Sequence, residues 1–309
     1  MAGRRRKKSG GRSYAWRYRG RIVACVFVEV IIICALVIMI GWNKGVKEWF
    51  EQFEQPVLKE VDISGINSPN AILMQARGGK ILGEINGEAQ IYPASMTKIM
   101  TVILGIENFD DLDEKITLTN EMFTGLYEQD ATQAGFQPGE EVRVIDLLYG
   151  AMLPSGAECC IALADTISGS EADFAELMNK KARKLGMENT NFCDSTGLHN
   201  PDHYSTVKDI AVLMKYCIKN DTFREIVETS RHSTGVTNIH PDGITYYSTM
   251  FKNLSDPTVT GGKILGGKTG YTSEAGHCLV SFAEIEGREY IFVSAGASGA
   301  DGNTIPHIQ

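Results

Sequence analysis

No acidic residue appears in the first 21 positions of this 309-residue chain, which hold nine of its 30 lysines and arginines. All 38 acids lie further on, so the net charge of -8 hides a basic tail on an acidic body. Cysteine is sparse: seven residues, of which Cys25 and Cys34 sit inside an apolar run. The other five, Cys159, Cys160, Cys193, Cys217 and Cys278, are odd in number and follow no framework spacing, and adjacent Cys159 and Cys160 are poorly placed to bridge each other. That excludes a disulfide-stapled scaffold, and most of these thiols read as small buried apolar residues. Beyond the basic tail there is no internal repeat and no low-complexity tract. A full set of metal ligands is missing as well. His199 and His203 stand four apart, but Pro201 between them and Gly197 before them argue for a loop, and no third ligand accompanies them. No metal and no cofactor are implied.

What remains is a globular composition, 43% hydrophobic and 22% charged. The length suits one large domain or two small ones. A basic tail can read as a nucleic-acid arm, but its neighbour argues against that. Ile22 to Trp42 is almost wholly apolar and would run roughly 32 Å as a helix, enough to span a bilayer. Positive charge on its N-terminal side places that end in the cytoplasm and the remainder outside. Trp42 sits where an interfacial aromatic is expected, and Glu29 lies within reach of the basic end. The alternative is a cleaved signal peptide. The run is longer than a signal core, and no small-x-small site follows it, which favours an uncleaved anchor. The expected organisation is therefore a cytoplasmic tail over 1–21, a transmembrane anchor over 22–42, a juxtamembrane linker over 43–61 and an extracytoplasmic domain over 62–309. In the linker, Val46, Trp49, Phe50 and Phe53 form an amphipathic helical stripe that Pro56 ends.

Ala71 to Met74 and Ile81 to Ile85, joined by Ala76-Arg77-Gly78-Gly79-Lys80, read as a β-hairpin. From Val144 to Cys217 the period is helical. Ser170 with Asp173 and Thr206 with Asp209 make capping boxes, and Gly186 is a natural C-terminal stop. Phe174, Leu177, Met178 and Leu185 form one apolar stripe, and Ile210, Leu213, Met214 and Cys217 the next. Strand character returns at Tyr246 to Phe251, Cys278 to Glu284 and Tyr290 to Ala295. Strands, then helices, then strands point to one sheet built from both ends of the domain with a helical cluster inserted.

Three short motifs carry the chemistry. Pro93-Ala94-Ser95-Met96-Thr97-Lys98 opens an apolar segment, and on a helix Ser95 and Lys98 share one face. A serine needs a base to become a nucleophile, and a desolvated lysine can serve. Leu153-Pro154-Ser155-Gly156 follows an apolar helical run, and Lys268-Thr269-Gly270 precedes the closing strands. Each motif alone is weak, whereas their order outside a membrane anchor is a strong signal.

On these residues the chain resembles the low-molecular-mass penicillin-binding proteins, the serine-type D-alanyl-D-alanine carboxypeptidases. The likeness runs from about Ile72 to Ala297 and takes in Leu147-Leu148-Tyr149, Met178-Asn179, Leu185-Gly186-Met187, Gly197-Leu198, His203-Tyr204-Ser205-Thr206 and Gly270-Tyr271-Thr272. It implies a mixed α/β (α+β) fold, a five-stranded antiparallel sheet flanked by helices. The activity implied is removal of the terminal D-alanine from peptidoglycan pentapeptide stems, with β-lactams as mimics that trap the enzyme. Ser95 would be the nucleophile, Lys98 its base and Ser155 a proton relay. Lys268 and Thr269 would hold the substrate carboxylate, and the backbone N–H groups of Ser95 and Tyr271, beside Gly270, would form the oxyanion hole.

The chain departs from the family's pattern in three places. Ser155-Gly156-Ala157 stands where Ser-x-Asn is usual, with Glu158 next; no Lys or Arg follows Arg288; and the sequence stops at Gln309, short of the helix that normally covers the sheet. Among rival readings, Gly262 to Thr269 also matches the phosphate-loop pattern, but turn residues and a strand follow it where a helix is required. A β-lactamase would need a dedicated deacylating glutamate motif, and none is evident. A non-catalytic wall-sensing protein would explain Ala157 but would have no need of a nucleophile and base. Restoring the amide with Ala157→Asn is expected to speed D-alanine release; an unchanged rate would remove position 157 from the account of catalysis.

Overall fold

The computed structural model describes residues 60–254 and 256–299. The basic tail, the apolar run 22–42 and the stripe from Val46 to Phe53 lie outside the described residues. Among the described residues no helix is long and apolar enough to cross a membrane.

The expected hairpin forms from β1 (Asn70–Gln75) and β2 (Ile81–Ile85). A 3-10 turn at Ala94–Thr97 leads into α1 (Lys98–Asn108). A small ribbon, β3 (Lys115–Thr117) with β4 (Glu141–Arg143), precedes α2 (Val144–Met152), α3 (Ala157–Ser168), α4 (Glu171–Leu185), α5 (Val207–Cys217) and α6 (Asp221–Glu228). A second ribbon, β5 (Arg231–Ser233) with β6 (Thr245–Tyr247), is followed by α7 (Thr249–Asn253), β7 (Thr258–Val259), β8 (Gly262–Thr272), β9 (Gly276–Ile285) and β10 (Arg288–Ala297). The main sheet has the order β2-β1-β10-β9-β8-β7, antiparallel throughout. Asn70 pairs with Ala295 and Gln75 with Tyr290, so the two ends of the domain close one sheet around the helices inserted between them.

The caps form as the sequence predicts. Ser170 Oγ accepts from the Asp173 N–H at 3.1 Å, Thr206 Oγ1 from the Asp209 N–H at 3.0 Å, and Gly186 ends α4 with φ +79°. Helix α1 is different in kind. Every residue from Lys98 to Gly105 is buried, as befits a helix that is apolar on nearly all sides. It packs against α2, α3, α5 and α6, while α5 packs against β1, β9 and β10. Cys159, Cys160, Cys217 and Cys278 are buried free thiols that fill this core as small apolar groups.

Three expectations need correction. Among the described residues the sheet has six strands where five are implied, because β7 pairs Thr258 with Lys263 and Val259 with Gly262 at the edge. Two residues are too few to show an alternating pattern. Tyr246 to Phe251 is not one strand: β6 stops at Tyr247, and the Ser248 hydroxyl caps α7 by accepting from the Phe251 N–H at 3.5 Å. Finally, Lys268-Thr269-Gly270 precedes the closing strands β9 and β10 as expected, but it lies on a further strand, β8, that the sequence reading did not place. Glycine at 262, 266, 267 and 270 hides this strand, since glycine contributes neither β-propensity nor side-chain pattern. The whole phosphate-loop match also falls within β8, and a hairpin to β9 follows it, so no loop is there to cradle a phosphate.

Candidate active site

Ser95, the expected nucleophile, sits on the 3-10 turn before α1. Ala94, just ahead of it, has φ +46°, an uncommon conformation for a residue with a Cβ. This turn presents Ser95 at the buried end of α1, and Lys98 Nζ stands 3.0 Å from Ser95 Oγ. Lys98 is only 3% exposed and donates to the Thr196 carbonyl at 2.6 Å. Burial drives its pKa down, opposed in part by the negative charge of Asp194. A neutral amine so placed can accept the serine proton.

A second serine–lysine pair comes from two other elements. Lys268, 1% exposed on β8, donates to Ser155 Oγ at 2.9 Å and to the Thr269 carbonyl at 2.8 Å. Ser155 follows α2 and has φ +73°, so the turn that presents it is also in the left-handed region. Burial pushes the Lys268 pKa well below its usual value, and the charge of Lys98 pushes it further the same way. Strand β8 packs against the nucleophile turn. A Cβ on Gly270 would come within 2.9 Å of the Ser95 nitrogen, so this position on β8 needs glycine to approach the Ser95 amide. Thr269 Oγ1 lies 2.7 Å from Thr249 Oγ1. Tyr271 is 58% exposed, with its ring 4.8 Å from that of His277. Beyond Lys263 the outer edge of β8 has no strand partner among the described residues. Ser95, Lys98, Ser155, Lys268, Thr269, Gly270 and Tyr271 thus meet around one end of α1 and one edge of the sheet.

Glu158 does not stand in for the amide missing at Ala157. Its Oε1 accepts from the N–H groups of Ala134 at 2.6 Å and Gly135 at 2.9 Å, and its buried Oε2 has no hydrogen-bond partner among the described residues, so neither oxygen bonds Lys98. Burial raises its pKa. Cys160, a nearby thiol, is pushed up to about 12 by burial and stays protonated, which sets it aside as a nucleophile. The two histidines separate. His203 is buried with Nε2 2.9 Å from Thr97 Oγ1 and Nδ1 3.1 Å from Asp194 Oδ2. His199 packs edge-on against Tyr92. Among the described residues no group of three or more His, Cys, Asp or Glu is placed to hold a metal ion.

Sequence reasoning missed the loop from Asp194 to Gly197. Asp194 Oδ1 accepts from the N–H and hydroxyl of Thr196 and from the N–H of Gly197, each at 2.7 Å. Burial opposes ionisation of Asp194, but the His203 contact, the Thr196 hydroxyl and the Gly197 N–H outweigh it and bring its carboxyl down to about 2. Thr101 Oγ1 donates to the Ser195 carbonyl at 2.6 Å, and Glu171 accepts from the Ser195 N–H and hydroxyl at 3.0 and 2.7 Å. The signal was an Asp-x-Thr-Gly turn, a common loop composition with nothing to tie it to Lys98.

A mixed α/β fold with serine–lysine pairs at the end of a buried helix is the penicillin-binding type. The structure of the Streptomyces K15 DD-transpeptidase superposes with a TM-score of 0.69 at 29% identity, covering 77% of this chain and 93% of that one. The family described as D-alanyl-D-alanine carboxypeptidase matches residues 57–299, and the chain belongs to that family. It is 35% identical over 233 residues to the D-alanyl-D-alanine carboxypeptidase DacF of Bacillus subtilis, covering 74% of this chain and 57% of that protein. It is 36% identical over 205 residues to the D-alanyl-D-alanine carboxypeptidase of Streptomyces sp. strain K15, covering 64% of this chain and 69% of that protein. The chain spans little more than half the length of DacF and of the Escherichia coli DacC, 57% and 58%.

The carbonyl of Ala94, next to the nucleophile, lies under Gly197. A Cβ at Gly197 would stand 2.0 Å from that oxygen, on a residue with φ +79°. Gly197→Ala is therefore expected to cost roughly 3 kcal/mol of stability and to slow acylation of Ser95 by a penicillin at least about tenfold. Urea denaturation and stopped-flow acylation check both; a variant equal to the parent in each would show that the loop tolerates displacement.

Proposed function

We propose that this chain is a serine D-alanyl-D-alanine carboxypeptidase acting on peptidoglycan stem peptides. The observation that carries the reading is the buried Lys98 amine 3.0 Å from Ser95 Oγ, faced by the Lys268–Ser155 pair. The stem lies along the open edge of β8, its terminal carboxylate held by Lys268 and Thr269. Ser95 Oγ attacks the carbonyl carbon between the two D-alanines while Lys98 Nζ takes the hydroxyl proton. The N–H groups of Ser95 and Tyr271 receive the negative charge that develops on the carbonyl oxygen. Collapse breaks the peptide bond. The proton that Lys98 took reaches the departing amine through Ser155, which hands on its own proton and regains one, so Lys98 is neutral again and free D-alanine leaves an ester on Ser95. Water then attacks that ester and gives its proton to Lys98, which returns it to Ser95 Oγ as the shortened stem is released. A β-lactam acylates Ser95 by the same first step, but its ring opens without losing a fragment.

The names of the relatives support this reading, since DacF, DacC and the Streptomyces K15 protein are each called D-alanyl-D-alanine carboxypeptidases. The basic tail and the apolar run 22–42 support a single-pass anchor in the lipid bilayer, with a cytoplasmic N-terminus and the catalytic domain outside. Membranes washed at alkaline pH should retain the full chain; complete release into the wash would exclude the anchor. The catalytic reading is tested by D-alanine release from an acylated Lys-D-Ala-D-Ala peptide. Ser95→Ala should lower release at least about 10³-fold and abolish covalent labelling by a fluorescent penicillin. Release that survives the substitution would overturn the assignment. A folded parent that releases nothing would favour a wall-binding role.

A further inference from the structure

The hydrogen bonds of Lys98 Nζ reach two oxygens, Ser95 Oγ and the Thr196 carbonyl. Position 157 offers the amine no polar atom, because Ala157 ends at a methyl group, and Glu158 is turned to the 134–135 backbone. The direction of the Lys98 amine therefore depends on how firmly the Thr196 carbonyl is held. That carbonyl belongs to a turn wound around one carboxylate: Asp194 Oδ1 accepts three hydrogen bonds of 2.7 Å from Thr196 and Gly197. Asp194 Oδ2 is tied to His203 Nδ1 at 3.1 Å, and His203 Nε2 to Thr97 Oγ1 at 2.9 Å. Thr97 is the residue before Lys98. The loop is thus fastened to the helix turn that carries the amine it orients.

We propose that Asp194, braced by His203 and Thr97, is the positioning residue for Lys98, holding the Thr196 carbonyl on the amine and placing a negative charge in its surroundings. The proposal rests on Lys98 being the proton acceptor for Ser95. The charged and titratable groups facing Lys98 are Lys268 from β8, Glu158, Cys159 and Cys160 from α3, and Asp194 from the loop. Of the two carboxyls, Glu158 is pushed towards its neutral form by burial, whereas Asp194 is held ionised by its four partners. Asp194 therefore restrains the fall in the Lys98 pKa that burial imposes. Too deep a fall would leave a feeble base, since proton transfer is most effective when the base titrates near the working pH.

Two substitutions in the full chain separate charge from geometry. Asp194→Asn keeps the size and removes the charge. It should lower kcat for D-alanine release by about tenfold or more with KM within about twofold, and move the acid limb of the kcat/KM profile to lower pH. Asp194→Glu keeps the charge but displaces the turn; it should lower kcat and leave the acid limb in place. A lysine-selective NMR titration, with Lys98→Arg to assign the resonance, reads the Lys98 midpoint without requiring activity, and that midpoint should fall in Asp194→Asn. Should Asp194→Asn lose its cooperative melt, Thr97→Val loosens His203 without changing any charge: lowered kcat with an unmoved acid limb supports the brace. Unchanged kcat and acid limb in Asp194→Asn, or unchanged kcat in Thr97→Val, overturns the proposal. A parent that neither releases D-alanine nor is labelled by penicillin would defeat the catalytic reading instead, and the NMR midpoint would still judge the brace.

Discussion

Two lysine amines buried in one site, Lys98 and Lys268, are the constraint on which the rest of the structure depends. Among the described residues neither has a carboxylate ion pair. Each finds one serine hydroxyl and one backbone carbonyl. Burying an ammonium without a counter-ion is costly, so the site lowers the proton affinity of both amines, and each amine's charge disfavours the other's. A lysine in this condition has a lone pair to offer. The chemistry of Ser95 follows from that desolvation, not from any unusual property of serine.

Much of the fold maintains that condition. Helix α1 is buried on all sides along its first two turns, which keeps water from the Lys98 stem. Strand β8 is glycine-rich where it must pass close to other backbone: Gly267 under the Val280 carbonyl and Gly270 against the Ser95 amide. The turn at Asp194 closes the remaining side. It replaces solvent with fixed oxygens, and fixed dipoles need no reorganisation when a proton moves. Two residues with side chains, Ala94 and Ser155, hold positive φ next to or within the catalytic pairs. Strain of this sort persists where the surrounding packing over-determines it.

The legible parts of the chain were those whose signals are local. Ser95 and Lys98 met because residues three apart on a 3-10 turn lie on one face. The caps at Ser170 and Thr206, the stop at Gly186 and the β1–β2 hairpin followed from short patterns. Where a signal was local but ambiguous it misled: Tyr246 to Phe251 reads as a strand, yet one serine hydroxyl turns it into a helix at Thr249. Where the signal was distributed it was invisible. Strand β8 looks like a turn-rich segment because its glycines answer to neighbours from distant parts of the chain, Val227, Val280 and Ser95. His203 was read as part of a structural loop, but nothing in the sequence named its partners, Thr97 and Asp194.

The sequence alone determined which chemistry was available: a serine nucleophile, two lysines, a second serine, and the order in which they come. It also determined the plan of one sheet from both ends of the domain around inserted helices, since hydrophobic period and capping residues act over a few positions. Only the tertiary structure decided that the lysines are buried with no ion-paired carboxylate among the described residues, that Glu158 Oε1 bonds the 134–135 backbone and not Lys98, and that Asp194 and His203 secure the Thr196 carbonyl. Those facts depend on groups far apart in the chain. Burial and electrostatics depend on distance in space, and distance in space is settled when β8, α1 and the 194–197 turn pack together.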